Sequence, residues 1–277
     1  MVVQDQDRVK REMVTGPNLV PAVTKAISIV RYLNDRPSGG AALPEIAAAL
    51  DIARSHGHTI LRTLVAHGWA HYEPSSRRYR LSSGIAADSA SALASRTHLA
   101  ATRPHVDALA AASGFPCTLC EPIADGSFLI VHTTGEMDSF VFRAPVGYRF
   151  PPGTAALFKA RTAWLPGADE REALARWMPQ RHSSFSILEP SVMAEELAMS
   201  RRRGYARSGG EYVEGFTTLA LPIFSRDGQV LLVLTVAGRD QPIAPHEPQI
   251  ARLLARTVGA IHRELDGRPP VGFPAPD

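Results

Sequence analysis

LPEIAAALDIARSHGHTILRTLVAHGWAHYEPSSRRYRL, residues 43–81, carries two helical runs and one alternating run in close succession. Apolar residues recur at helical spacing at Ile46 and Leu50, and again at Ile60, Leu61 and Leu64. Only Asp51-Ile52-Ala53 separates the two runs, which predicts a tight turn between angled helices, the helix-turn-helix arrangement. After Gly68 the period changes to alternation: Trp69 and His71, then Tyr79 and Leu81, flank Glu73-Pro74-Ser75-Ser76-Arg77-Arg78. That pattern predicts a hairpin with two adjacent guanidinium groups at its tip, a basic wing beside the helices. Such a unit has the shape of a DNA-binding module.

The charge distribution agrees. The chain of 277 residues carries a formal net charge of +3, with +4 in residues 1–83 and −1 in residues 84–277. Five arginines (Arg54, Arg62, Arg77, Arg78, Arg80) stand against one acid, Glu73, between residues 54 and 80. The excess sits where phosphate contacts need it. A recognition helix places its N-terminal residues at base edges and its flanks at phosphates, which selects Arg54, Ser55, His56, His58, Thr59 and Arg62. Arg54 suits bidentate recognition of a guanine. Arg77 and Arg78 are expected at phosphates or in the minor groove, where they add affinity and little sequence information.

Outside this unit, residues 1–19 read as a disordered arm, and a helix is expected from Pro21 to Asn34 with Val23, Ala26, Ile27, Val30 and Leu33 on one face. Pro37-Ser38-Gly39-Gly40 ends it. The DNA-binding domain is placed at 20–83, and the Ala- and Ser-rich residues 84–96 read as a linker helix. Residues 97–265 read as a second domain. It opens with a helix (Leu99, Val106, Leu109) and continues with strands at 117–121, 128–132 and 139–143. Helices follow near 154–161, 168–177 and 191–204, then strands 217–224 and 229–236 joined by Ser225-Arg226-Asp227-Gly228. A last amphipathic helix carries Ile250, Leu253, Leu254, Val258 and Ile261, and the proline-rich 266–277 is expected to be disordered. The fold class is therefore α+β.

Several chemistries find no support. No apolar run is long enough to span a membrane, and the charged N-terminus does not read as a secretory signal. Two cysteines in 277 residues fit a reducing cytoplasm. Cys117 and Cys120 have CxxC spacing, but on a strand they face opposite sides, and no second ligand pair completes a zinc site. His56 and His58, two residues apart on a helix, point different ways. His246-Glu247-Pro248 lacks the second histidine of a zincin helix, and no GxSxG, GxxxxGK or GxGxxG occurs. No cofactor or metal is expected.

The order of motifs resembles the IclR-type bacterial transcriptional regulators over about residues 20–265. The family's KSTVHRLLxTLxxxGY and YRLG are similar to RSHGHTILRTLVAHGW and YRLS here, and PxHATALGKA to PPGTAALFKA (Pro151 to Ala160). RGYAxDxEExxxGxxCxAAPI resembles RGYARSGGEYVEGFTTLALPI (Arg203 to Ile223), and AALSVSG resembles LVLTVAG (Leu232 to Gly238). The resemblance implies a winged helix-turn-helix joined by a linker helix to a GAF-like effector domain with an antiparallel sheet. It also implies a homodimer or homotetramer acting on a double-stranded DNA operator, more commonly as a repressor.

The same resemblance places Ala156 and Leu157 at a small-molecule effector, with Phe142, Phe150, Ser208, Phe216, Thr218, Thr235 and Ala237 lining its pocket. Thr154 is expected to cap the helix beginning at Ala155, whose free N–H groups suit a carboxylate. Ser208 stands where the family has an acid, Thr218 a cysteine and Ala237 a serine, so an aromatic or branched carboxylate is expected. Gly57 inside the recognition helix, and Thr59 where the family often has arginine, depart from the pattern. Two other functions stay open from sequence: an enzyme whose GAF-like domain turns over its ligand, and a non-specific DNA-binding protein.

Overall fold

The computed structural model describes residues 19–36, 39–91, 96–134 and 145–274. The chain divides into two compact units between Arg96 and Thr97.

The first unit contains α1 (Pro21–Asn34), β1 (Ala41–Ala42), α2 (Leu43–Ala49), α3 (Arg54–Ala66), β2 (Ala70–Glu73), β3 (Arg78–Leu81) and α4 (Gly84–Asp88). Proline stands in the first turn of α1 and of α2, where the missing N–H costs nothing. Glu45 reaches back from α2 to accept the Ala42 N–H at 3.1 Å. Asp51 takes φ +50° in the turn, and α3 then crosses α2 over one shared core of Ile29, Leu33, Ile46, Leu50, Ile52, Ile60, Leu61 and Leu64. The three strands pair antiparallel in the order β1-β3-β2.

Gly57 now has a reason. It is buried, and a Cβ there would sit 3.3 Å from Leu43 Cδ1, so the glycine allows α3 to pack closely on α2. On α1 the expected single apolar face is two. Ile29, Tyr32 and Leu33 are buried, whereas Val23 and Ile27 remain exposed. The continuous linker helix expected over 84–95 is interrupted: α4 ends at Asp88 with Ser89 as its C-cap, and residues 92–95 lie outside the described set. Ser89 Oγ donates back to Ile85 O at 2.8 Å, the local competition for backbone groups that makes serine a poor helix interior residue.

The second unit is built on α5 (Thr97–Ser113), β4 (Cys117–Pro122), β5 (Phe128–Thr134), β6 (Arg149–Phe150), α6 (Ala155–Thr162), α7 (Gly167–Ala175), α8 (Pro190–Arg203), β7 (Ala206–Gly209), β8 (Phe216–Phe224), β9 (Val230–Arg239), α9 (Asp240–Ile243) and α10 (Glu247–Leu265). Among the described residues six strands form one antiparallel sheet, β6-β5-β4-β9-β8-β7. One face buries Leu119, Leu219, Leu221, Leu232, Leu234 and Val236 in a core shared with Val106 and Leu109 of α5 and Ile250, Leu254, Val258 and Ile261 of α10. The other face carries Ala206, Ala220 and Val233 against Ala156, Leu157 and Ala160 of α6. Strand alternation along β4 puts Cys117 in the first core and Cys120 in the second, on opposite faces as the sequence spacing predicts. Burial pushes the Cys117 thiol up to about 12 and the Cys120 thiol higher still, so both are inert.

The C-terminal segment corrects the sequence reading. Where disorder was expected from 266, Gly267 N–H donates to His262 O at 2.8 Å and Arg268 N–H to Ser225 O at 3.0 Å. Phe273 packs edge-on to Trp164 and Phe224, with ring centroids 5.3 Å away in each case. A single aromatic anchor outweighs the proline-rich composition around it. The strand expected at 139–143 lies outside the described residues.

Candidate nucleic-acid interface and effector trough

On α3 the sequence-selected residues separate by face. Arg54, Ser55, His58, Thr59 and Arg62 are exposed, while Gly57, Ile60, Leu61 and Leu64 are buried. The spacing of 54, 58 and 62 puts two arginines and a histidine along one line of the helix, with Ser55 and Thr59 beside it. The Thr59 hydroxyl donates to Ser55 O at 3.1 Å, which leaves its lone pairs facing outward. His56 does not join this face. It is half-buried, and its Nδ1 accepts from Lys25 Nζ of α1 at 3.3 Å.

The wing divides its two arginines. Arg77 is exposed at the tip with φ +53°. Arg78, also expected at the DNA, is half-buried and bonded within the protein. Its guanidinium donates to Gly39 O at 2.8 Å and Gly40 O at 3.1 Å, and takes Glu45 as a bidentate partner at 2.9 and 3.2 Å. These bonds clamp β3 to the start of α2, as the pairing Ala42↔Arg78 requires. The basic surface gains Arg80, exposed on β3 opposite His71 of β2, which the alternation of the strand signals. Trp69 fastens the base of the wing to α4 through Nε1–H to Asp88 Oδ2 at 2.6 Å.

In the second unit the ladder brings most of the expected effector residues together. Ser208, Thr218 and Ala237 are direct neighbours across β7, β8 and β9, and Phe216 stands opposite Arg239 on the same face. Thr235 lies in the next row with Ala220, Ala206 and Thr118, its Oγ1 donating to Thr118 O at 3.3 Å. Thr218, Ala237 and Phe216 stay partly open to solvent although β8 and β9 are interior strands, whereas Leu219 and Val236 on the opposite face are fully buried. This open row of the sheet face, the trough, is the candidate effector site. Phe142 falls outside the described residues.

Aromatic side chains draw the two edges of the sheet together. Phe150 of β6 lies 5.2 Å from Tyr148 and 5.6 Å from Tyr212, which follows β7 at the opposite edge, and His182 covers Tyr212 at 4.6 Å. Phe150 belongs to the same cluster as Ala156 and Leu157, so the expected residues on β6 and α6 share one interior. Thr118, Tyr148 and Tyr212 escaped the sequence reading, since their proximity depends on sheet curvature. The expected cap is corrected: Thr154 donates its hydroxyl to Pro151 O at 2.8 Å and makes no side-chain cap.

Beneath the trough lies a buried charge cluster that spacing did not signal. Lys159 of α6 is fully buried and donates to Glu211 Oε1 at 2.7 Å, Glu196 Oε2 at 3.1 Å and Arg207 O at 3.0 Å. Burial raises the Glu211 pKa, and the adjacent ammonium pulls it partly back. Ser183 and Ser186 hold the Glu211 carbonyl at 3.1 and 2.9 Å, so α6, α8 and the loop after β7 are tied together. Among the described residues no group of three or more His, Cys, Asp or Glu is placed to hold a metal ion, and no helix is long and apolar enough to cross a membrane.

The chain is 28% identical over 226 residues to the HTH-type transcriptional regulator BhcR of Paracoccus denitrificans, covering 79% of this chain and 77% of that one. Its fold matches an IclR transcriptional regulator from Alicyclobacillus acidocaldarius with TM-score 0.75 at 24% identity, over 88% of this chain and 98% of the other. It also matches an IclR homologue from Microbacterium hydrocarbonoxydans complexed with 4-hydroxybenzoate, with TM-score 0.72 at 17% identity over 88% and 99% of the two chains. The IclR helix-turn-helix domain family matches residues 22–74, and the family of bacterial transcriptional regulator IclR C-terminal domains matches residues 90–263. With both domains of that architecture present in order, the chain belongs to the IclR family of DNA-binding transcriptional regulators.

Proposed function

We propose that this regulator binds an imperfect palindromic operator as a homodimer, or a dimer of dimers, in the cytoplasm and more commonly represses, without catalytic activity of its own. The observation that carries the reading is the exposed line Arg54–His58–Arg62 on α3, with Arg77 and Arg80 on the adjacent wing. Two copies related by a twofold axis present two such helices to successive major grooves about 34 Å apart. Support for self-association comes from α1, where Val20, Val23 and Ile27 are 61%, 55% and 46% exposed at helical spacing. An apolar stripe on a charged domain marks an interaction surface.

The small molecule sensed is a small carboxylate, aromatic or branched, held in the trough of Ser208, Thr218, Ala237 and Thr235 beneath Phe150, Tyr148 and Tyr212. The fold neighbour complexed with 4-hydroxybenzoate is in keeping with that class. Binding biases the dimer between arrangements that differ in recognition-helix spacing, and so in operator affinity. Selection from a genomic DNA pool tests this. A recovered site with two half-sites an integral number of turns apart, whose affinity changes when an aromatic carboxylate is added, supports it. Equal binding to all sequences, or steady consumption of the carboxylate, contradicts it.

A further inference from the structure

One charged side chain, Arg239, stands at the end of the trough. Arg239 ends β9 directly opposite Phe216, and its guanidinium carbon lies 5.8 Å from the centre of that ring. Strand alternation puts Arg239 on the same face as Ala237 and its neighbours Thr218 and Ser208. Gly238 between them confirms the phase. It turns to the opposite face, where an added Cβ would meet Phe115 at 2.7 Å.

Among the described residues, three other cations of this sheet and of α6 are already committed. Lys159 is paired with Glu211 and Glu196, Arg207 with Glu247 at 3.0 Å, and Arg149 with Asp125 at 3.5 Å. The nearest acid in sequence, Asp240, turns away to accept from Thr217 Oγ1 at 2.8 Å. Arg239 itself is exposed and, among the described residues, makes no hydrogen bond or ion pair.

We infer that Arg239 is the carboxylate-binding residue of the effector site, steadied by Phe216 and aimed at an acid whose ring lies over Thr218 and Ala237. A guanidinium is planar and presents paired donors that match a carboxylate bidentately, and an aromatic face beneath it limits its motion without neutralising it. The alternative location for the acid, the N-terminus of α6, offers the backbone of the buried Ala155, Ala156 and Leu157 and no charged side chain. The inference rests on the effector reading above and assigns the anion within it.

Isothermal titration of the full chain with benzoate and with its neutral analogue benzamide tests it, on wild type, Arg239→Gln and Arg239→Lys. Wild type is expected to bind benzoate about tenfold or more tighter than benzamide, as a charge-assisted pair would give. Arg239→Gln brings benzoate down to the benzamide level with benzamide unchanged, and Arg239→Lys falls between. Full benzoate preference in Arg239→Gln overturns the assignment and leaves the effector reading standing. Wild type binding neither compound overturns both.

Discussion

Arg77 and Arg78 are adjacent in sequence and differ in what they touch, so exchanging each for alanine separates DNA affinity from folding. Arg77→Ala is expected to weaken binding evenly across sequences and reduce the slope of log affinity against log salt by about one. Arg78→Ala leaves Glu45 and the Gly39 and Gly40 carbonyls without their donor, a loss on the order of 1 kcal/mol in urea unfolding for a partly exposed pair. Composition revealed the basic excess but not this division, because a charge in sequence carries no record of its partner. His262 makes a second prediction. Its Nε2 accepts the Phe224 N–H at 2.9 Å, and burial lowers its pKa to about 4. The unfolded chain takes up the proton first, near pH 6.5, so this contribution is complete above that value and is lost as the pH falls towards 4. The stability gap between wild type and His262→Gln should therefore narrow, by an amount on the order of 2 kcal/mol, between pH 7 and pH 4.

At the scale of elements, the recognition helix depends on the absence of one side chain. Gly57→Ala gains helix propensity of about 1 kcal/mol and places a methyl 3.3 Å from a flexible leucine terminus, so thermal unfolding should stay near wild type. Gly57→Leu overfills the same contact and is expected to destabilise by roughly 1–3 kcal/mol. A lower melting temperature for the alanine than for the leucine variant would contradict this packing. Long helices and the β8–β9 hairpin were legible because periodicity and a turn signal coincide there. The strands β6 and β7, of 2 and 4 residues, were not, since neither is long enough to establish a period. Cross-strand register sets Ser208, Thr218 and Ala237, which the family resemblance named from separate segments, in one row and Thr235 in the next. Tyr148 and Tyr212 stayed hidden because they meet only when the sheet curls.

For the whole molecule, the proposed function makes operator reading depend on self-association through α1. Replacing Val23 and Ile27 together by aspartate puts charges into the exposed stripe and leaves the buried Ile29, Tyr32 and Leu33 untouched. Sedimentation should show a smaller species that still folds, and its DNA affinity should fall to that of a single half-site. An unchanged dimer would move the association surface elsewhere. On the proposed reading exposed α3 side chains read sequence, and fluorescence anisotropy at fixed physiological salt probes this directly. Wild type and Arg54→Ala would each be titrated onto the selected operator and onto a scrambled duplex of equal length. The variant is expected to lose roughly 1–3 kcal/mol on the operator per half-site and much less on the scrambled duplex, so its preference collapses. Equal losses on both duplexes would reduce Arg54 to a phosphate contact and remove its role in sequence reading.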